Sequence, residues 1–216
     1  MVSFLSKVFS TKFFSSLTVS KKVAYLSLFI AMSVVVNSFL EISMASTKIT
    51  FTYFVCFFGG FLLGPLPGFL VGFLGDGIGF LLKPQDVYWF YGLTLGLFGM
   101  IAGFIRKIPL QGRGGVFGKA VAALLVNYLL ITCLVNSLVN YSYLAVFSPG
   151  ILHGRTFWVY LWGRLAVQTV VYAVNAASAV AVLSLFVGSR ALGFFKDELS
   201  VRMAGAPPRA AATKIS

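Results

Sequence analysis

Two charged residues stand inside stretches that are otherwise apolar. Asp76 lies in GGFLLGPLPGFLVGFLGDGIGFLLKP and Arg164 in FWVYLWGRLAVQTVVY. A charge within a bilayer costs about 2.5–3.5 kcal/mol on insertion scales, so such residues are paired or functional. Two arrangements are open: an Asp76–Arg164 ion pair that holds two helices together, or a polar ligand cavity that one or both of them face. Other segments supply further groups. Glu41, Lys48, Lys83, Asp86, His153 and Arg155 fall at segment ends, together with Tyr88, Trp89, Tyr91 and Trp158. Asn127, Asn136, Asn140, Gln168 and Asn175 place amides within two later apolar segments, where interhelical hydrogen bonding is their ordinary role. Aromatic rings serve as walls for a planar ligand or as the belt that marks a membrane interface. A guanidinium meets a carboxylate bidentately. The set suits a ligand that combines a planar ring with polar or charged groups. Tyr88, Trp89, Tyr91 and Trp158 would supply walls, Asp76 or Asn136 would accept hydrogen bonds, and Lys48, Arg155 or Arg164 would meet a negative charge.

Other chemistries lack their parts. Gly75-Asp76 resembles a fragment of the Gly-x-Gly-Asp of intramembrane aspartyl proteases, but position 74 is leucine. No second aspartate lies in another predicted helix, and a carboxylate dyad needs two. No Gly-x-Ser-Gly and no Walker A or other nucleotide-binding motif is present. One histidine and two cysteines, Cys56 and Cys133, imply neither a metal site nor a disulfide framework. The chain is read as neither an enzyme nor a cofactor carrier.

The elements that position these groups follow from composition. Of 216 residues, 59% are hydrophobic and only 10% charged, with a mean hydropathy of +0.94. A soluble domain carries about 25% charged residues. The class is an all-α integral membrane protein with the lipid bilayer as its surroundings. Glycines that are poor in aqueous helices are tolerated in lipid, where the backbone must satisfy its own hydrogen bonds. Gly60, Gly64, Gly68 and Gly72 recur every four residues and let helices approach closely. Six helices are predicted, over about 23–40, 49–63, 66–82, 87–105, 116–139 and 156–187, with a Gly64-Pro65 hairpin between the second and third. Residues 1–22 form a basic N-terminal segment, 23–188 the membrane domain, and 189–216 a charged, then Pro/Ala-rich tail that is expected to be disordered.

Lysines and arginines fix the orientation. Thirteen fall in the N-terminal segment, the region between helices 4 and 5, and the C-terminal tail; Lys48, Lys83 and Arg155 fall on the other side. Six helices with both termini cytoplasmic satisfy this asymmetry. The net charge of +12 is thereby read as topology, not as nucleic-acid binding. Ser27 and Ala31 form a small-xxx-small pair in helix 1, suited either to internal packing or to docking a second membrane subunit.

Six helices in about 200 residues, the basic N-terminal segment and the small-residue first helix resemble the substrate-binding (S) component of an energy-coupling factor (ECF) vitamin transporter. The resemblance covers roughly residues 22–187. It is carried by Lys48-Ile49-Thr50-Phe51, by the Gly59–Pro84 stretch, by Tyr88 to Leu95 and by Gly163-Arg164-Leu165. The likeness is strongest to the folate-specific members. It implies a bacterial cell membrane protein that captures a vitamin outside and works with a transmembrane coupling subunit and two cytoplasmic ATPases. It adds Thr50 and Thr94 to the candidate binding residues and assigns Ser27 and Ala31 to the contact with the coupling subunit. The alternatives are another vitamin (riboflavin, pantothenate, thiamine or a queuosine precursor) or a self-sufficient secondary transporter.

Overall fold

The computed structural model describes residues 9–39, 42–44, 47–49, 51–84, 87–152, 154–188 and 195. A short helix α1 (Lys12–Ser16) precedes α2 (Val19–Phe39). Strands β1 (Ile42–Met44) and β2 (Thr47–Ile49) pair antiparallel, Ser43 opposite Lys48. Then come α3 (Thr52–Leu63), α4 (Pro65–Leu82), α5 (Tyr91–Arg106), α6 (Gly112–Phe147), α7 (Pro149–Leu152) and α8 (Phe157–Gly188). The last turn of α3 and the stretch Tyr128–Val135 of α6 are π-wound.

The helical expectation holds, with differences at its edges. Among the described residues, α2, α4, α6 and α8 are long and apolar enough to cross a membrane, whereas α3 and α5 are shorter apolar helices. Residues 47–49 form a strand, so the second helix starts at Thr52 and not near Ile49. The fourth starts at Tyr91, after a loop through Tyr88 and Trp89, and not at Val87. The fifth extends to Gly112 and Phe147, well beyond 116–139. Every residue of α3 except Phe54 is buried, so its short length is shielded from lipid by protein.

Glycine spacing governs the centre of the bundle. A Cβ at Gly60 of α3 would collide with the carbonyl of Gly99 in α5, and one at Gly68 of α4 with the Gly60 backbone. Three helix backbones therefore touch at one point, which only missing side chains permit. The opposite face of α4 meets α2, where Gly75 lies under Ser33 and Ser38 Oγ donates to the Gly79 carbonyl at 3.4 Å.

The α3–α4 elbow turns on Gly64, whose φ of +123° lies where side-chain-bearing residues are strained. Where α3 stops, its last carbonyls lose their helical partners. Thr11 supplies replacements: its Oγ1 donates to Leu62 O at 2.8 Å and its N–H to Leu63 O at 3.0 Å. Arg106 donates to Phe61 O and stacks on the Phe61 and Phe195 rings, 5.4 and 4.6 Å from their centroids. Arg106 and Lys119 were expected in the region between helices 4 and 5; both are buried, within α5 and α6.

Candidate functional site

Two polar clusters form at the end of the bundle that carries the 83–90 connection. The first surrounds Asp76, the sole carboxylate among the described residues and only 9% exposed. Asn37 Nδ2 of α2 donates to its Oδ1 at 3.0 Å, and Thr52 Oγ1 of α3 donates to Asn37 Oδ1 at 3.4 Å. Oδ2 is buried, with the Tyr88 hydroxyl as its nearest donor. The Tyr88 phenol lies against this carboxylate. Its own burial, then the Asp76 charge, push its pKa up to about 12, so it stays a protonated donor. α5 begins at this point: a Cβ on Gly92 would lie 3.2 Å from Asp76 Oδ2. The positive end of that helix stabilises the negative charge.

The second cluster joins α5, α6 and α8. Arg164 Nη1 donates to Tyr160 Oη at 3.0 Å. Tyr160 donates to Asn140 Oδ1 at 2.7 Å, and Asn140 Nδ2 donates to Tyr91 Oη at 3.0 Å. With the Gln168 amide oriented by its surroundings, its oxygen accepts from Arg164 Nη2 and Nε at 3.1 and 3.3 Å. A guanidinium has five N–H donors. Three are engaged here, leaving one on each Nη without a partner among the described residues. The partners of Arg164 are neutral, and Asp76 is bound elsewhere, so the two do not form an ion pair. Asn136 Nδ2 donates to Tyr53 Oη at 2.8 Å, and the Arg164 charge reaches both Tyr53 and Tyr91.

The connection before α5 bridges the clusters. The Tyr88 ring packs on Phe80 of α4, 5.0 Å between centroids, while Trp89 Nε1 donates to Ser142 Oγ of α6 at 3.0 Å. Tyr88, Trp89 and Tyr91 thus sit between Asp76 and Arg164. The remaining predicted residues are placed differently. The Thr94 hydroxyl is buried and donates to the Tyr91 carbonyl at 2.7 Å, within its own helix. Trp158 is 64% exposed and its ring meets Phe157 edge-on. Arg155 is exposed; its carbonyl accepts from Tyr141 Oη at 3.1 Å. Lys48 lies in β2 with its side chain outside the described residues, as is Thr50 altogether.

Sequence reasoning passed over Asn37, Tyr160 and Ser142 and did not single out Asn140. Signals existed for two of them. Asn37 interrupts the apolar run VVVNSF, and Tyr160 stands one helical turn before Arg164. Ser27 and Ala31 are both exposed on α2, two turns or more before Ser38, which shares their stripe and is buried against α4. An apolar cavity of about 450 Å³ opens between α6 and α8, lined by Leu124, Tyr128, Tyr172 and Ala176 among others; no predicted binding residue borders it.

The fold is that of a known vitamin-binding protein. The chain superposes with a TM-score of 0.60 on a crystal structure of FolT bound with folic acid, covering 76% of this chain and 92% of that one at 20% identity. Two UPF0397 proteins share parts of the sequence. One from Streptococcus sanguinis (strain SK36) is 39% identical over 46 residues, 21% of this chain and 26% of the relative. One from Streptococcus gordonii (strain Challis) is 33% identical over 72 residues, 33% of this chain and 38% of the relative. These matches span less than two fifths of either relative. The family described as "ECF-type riboflavin transporter, S component" matches residues 18–185, most of the chain. The chain belongs to that family of ECF transporter S components and is a transporter subunit, not an enzyme.

Proposed function

We propose that the protein captures folate from outside a bacterial cell for uptake powered by a transmembrane coupling subunit and two ATPases. The observation that carries this reading is Arg164. It is a half-buried cation whose partners among the described residues are neutral and leave one N–H on each Nη for a carboxylate. Tyr91 lies in its cluster, Trp89 and Tyr88 lead from there toward Asp76 as ring surfaces, and the Asp76 carboxylate accepts from a donor-bearing ring edge in place of the Tyr88 hydroxyl. The likeness to the folic-acid-bound structure agrees with this choice of ligand. Titration of the purified chain with folate, followed by tryptophan fluorescence, tests it. Sub-micromolar binding is expected, weakened about 10- to 100-fold in Arg164→Ala, the loss of one charge-assisted hydrogen-bonded contact.

A second reading is favoured by the family match, which names riboflavin. That vitamin offers a planar ring but no carboxylate. Tight riboflavin binding that is indifferent to Arg164→Ala, with no response to folate, would establish it and remove folate.

For topology we propose six membrane-embedded helices with both termini cytoplasmic, supported by the thirteen-to-three distribution of lysine and arginine. A cysteine introduced at Asp86 or His153 should be labelled from outside intact cells, and one at Arg113 should not. Labelling at Arg113 overturns this orientation.

A further inference from the structure

The hydrogen bonds from Arg164 to Tyr91 have a direction, set by the arginine at one end and the Asn140 amide in the middle. A guanidinium can only donate. Tyr160 Oη therefore accepts from Arg164, and with the Asn140 oxygen turned toward it, 2.7 Å away, its single proton goes there. With its oxygen occupied, Asn140 meets Tyr91 through its NH₂ group at 3.0 Å, so Tyr91 Oη accepts. The Tyr91 proton is then left over. No described residue takes it: the hydroxyl has no other hydrogen bond among the described residues. Tyr91 is half-buried, so the acceptor for that proton comes from the space it faces: solvent in the empty site, a ligand atom in the filled one.

We infer that Asn140 is a positioning residue that makes Tyr91 a hydrogen-bond donor, and that the bound vitamin meets it with a ring carbonyl and not an amino group. This rests on the vitamin-capture reading and adds which edge of the ligand is read there. The amide is the element that sets the polarity. An aspartate at position 140 has the same shape but only accepts, so it would draw the Tyr91 proton to itself and turn the lone pairs of that hydroxyl toward the ligand.

Two measurements on the full chain in detergent decide it. The first needs no vitamin. The tyrosine Raman signature of Tyr91, isolated as the difference between each protein and its Tyr91→Phe variant, should report an acceptor in the wild type and a strong donor in Asn140→Asp. An unchanged signature overturns the polarity. The second compares binding of folate or riboflavin with that of an analogue whose ring carbonyl is replaced by an amino group. The wild type should prefer the carbonyl form about tenfold, the scale of one net hydrogen bond. Asn140→Asp should lose or reverse that preference, and Tyr91→Phe should abolish it with or without Asn140→Asp. Equal loss of affinity for both forms in Asn140→Asp would make Asn140 merely structural and overturn the inference. If the wild type binds neither vitamin while the Raman signature changes as expected, the vitamin-capture reading falls and takes the ligand half of this inference with it.

Discussion

The two halves of the molecule are held together by different means. In the half built from α2 to α5, backbones touch: Gly60, Gly68 and Gly99 meet with no side chain between them, and Gly75 and Gly79 seat α4 on α2. In the half built from α6 and α8, side chains do the joining. Tyr172 Oη donates to Leu124 O at 2.6 Å, the Tyr128 and Thr169 hydroxyls share a 2.5 Å hydrogen bond, and a 450 Å³ cavity remains between the helices. Backbone contact cannot be exchanged for anything else. Side-chain hydrogen bonds can be traded for ligand contacts, and the Arg164 cluster belongs to this second, exchangeable kind.

That contrast can be broken outright in the first half. Gly68→Leu places a side chain into the Gly60 backbone and should cost about 3 kcal/mol or more, at the upper end for overpacking. Loss of the folded protein, followed by thermal unfolding in detergent, is the expected result; a variant as stable as wild type would refute backbone contact at that point.

Asp76→Asn sharpens the contrast, since Asp76 stands in the tight half but faces the binding residues. The amide oxygen keeps the contact with Asn37, so stability should change by about 1 kcal/mol at most. The second carboxylate oxygen is lost, and vitamin affinity should fall about tenfold. A large loss of stability with unaltered affinity would make Asp76 structural.

Ser27 and Ala31 of α2 are exposed and lie outside the contacts of either half. Replacing Ser27 and Ala31 together with leucine should leave unfolding temperature and vitamin affinity unchanged, since both residues are exposed. Uptake by the assembled transporter should be lost if this face docks the coupling subunit. Unimpaired uptake would remove the pair from that interface.

The smallest effect is expected in the second half. A Cβ at Gly163 of α8 would meet nothing within 4 Å. Gly163→Ala should raise stability by about 1 kcal/mol at most, through its lower backbone entropy. A marked loss would show that α8 packs more tightly than the cavity beside it suggests.

The sequence by itself determined the class, the helices and the close packing. Composition required a bilayer, and glycines four residues apart required touching helices, because each of these is a local property of residue type and spacing. Asp76 and Arg164 were legible for the same reason, as charges in apolar runs. Their relation was not legible. Nothing in the order of residues distinguishes an Asp76–Arg164 ion pair from two separate clusters, because that depends on which helix faces which. The fold placed Asn37 beside Asp76 and Tyr160 beside Arg164. It also turned Trp158 outward and committed Thr94 to its own helix, although both had seemed equally available in the sequence. Arg106 shows the same limit: counted as a loop cation, it is buried against Phe61 and Phe195, residues 45 positions before it and far along the C-terminal tail. A residue's type fixes what it can bond to. Only the tertiary structure decides which of its possible partners comes within reach.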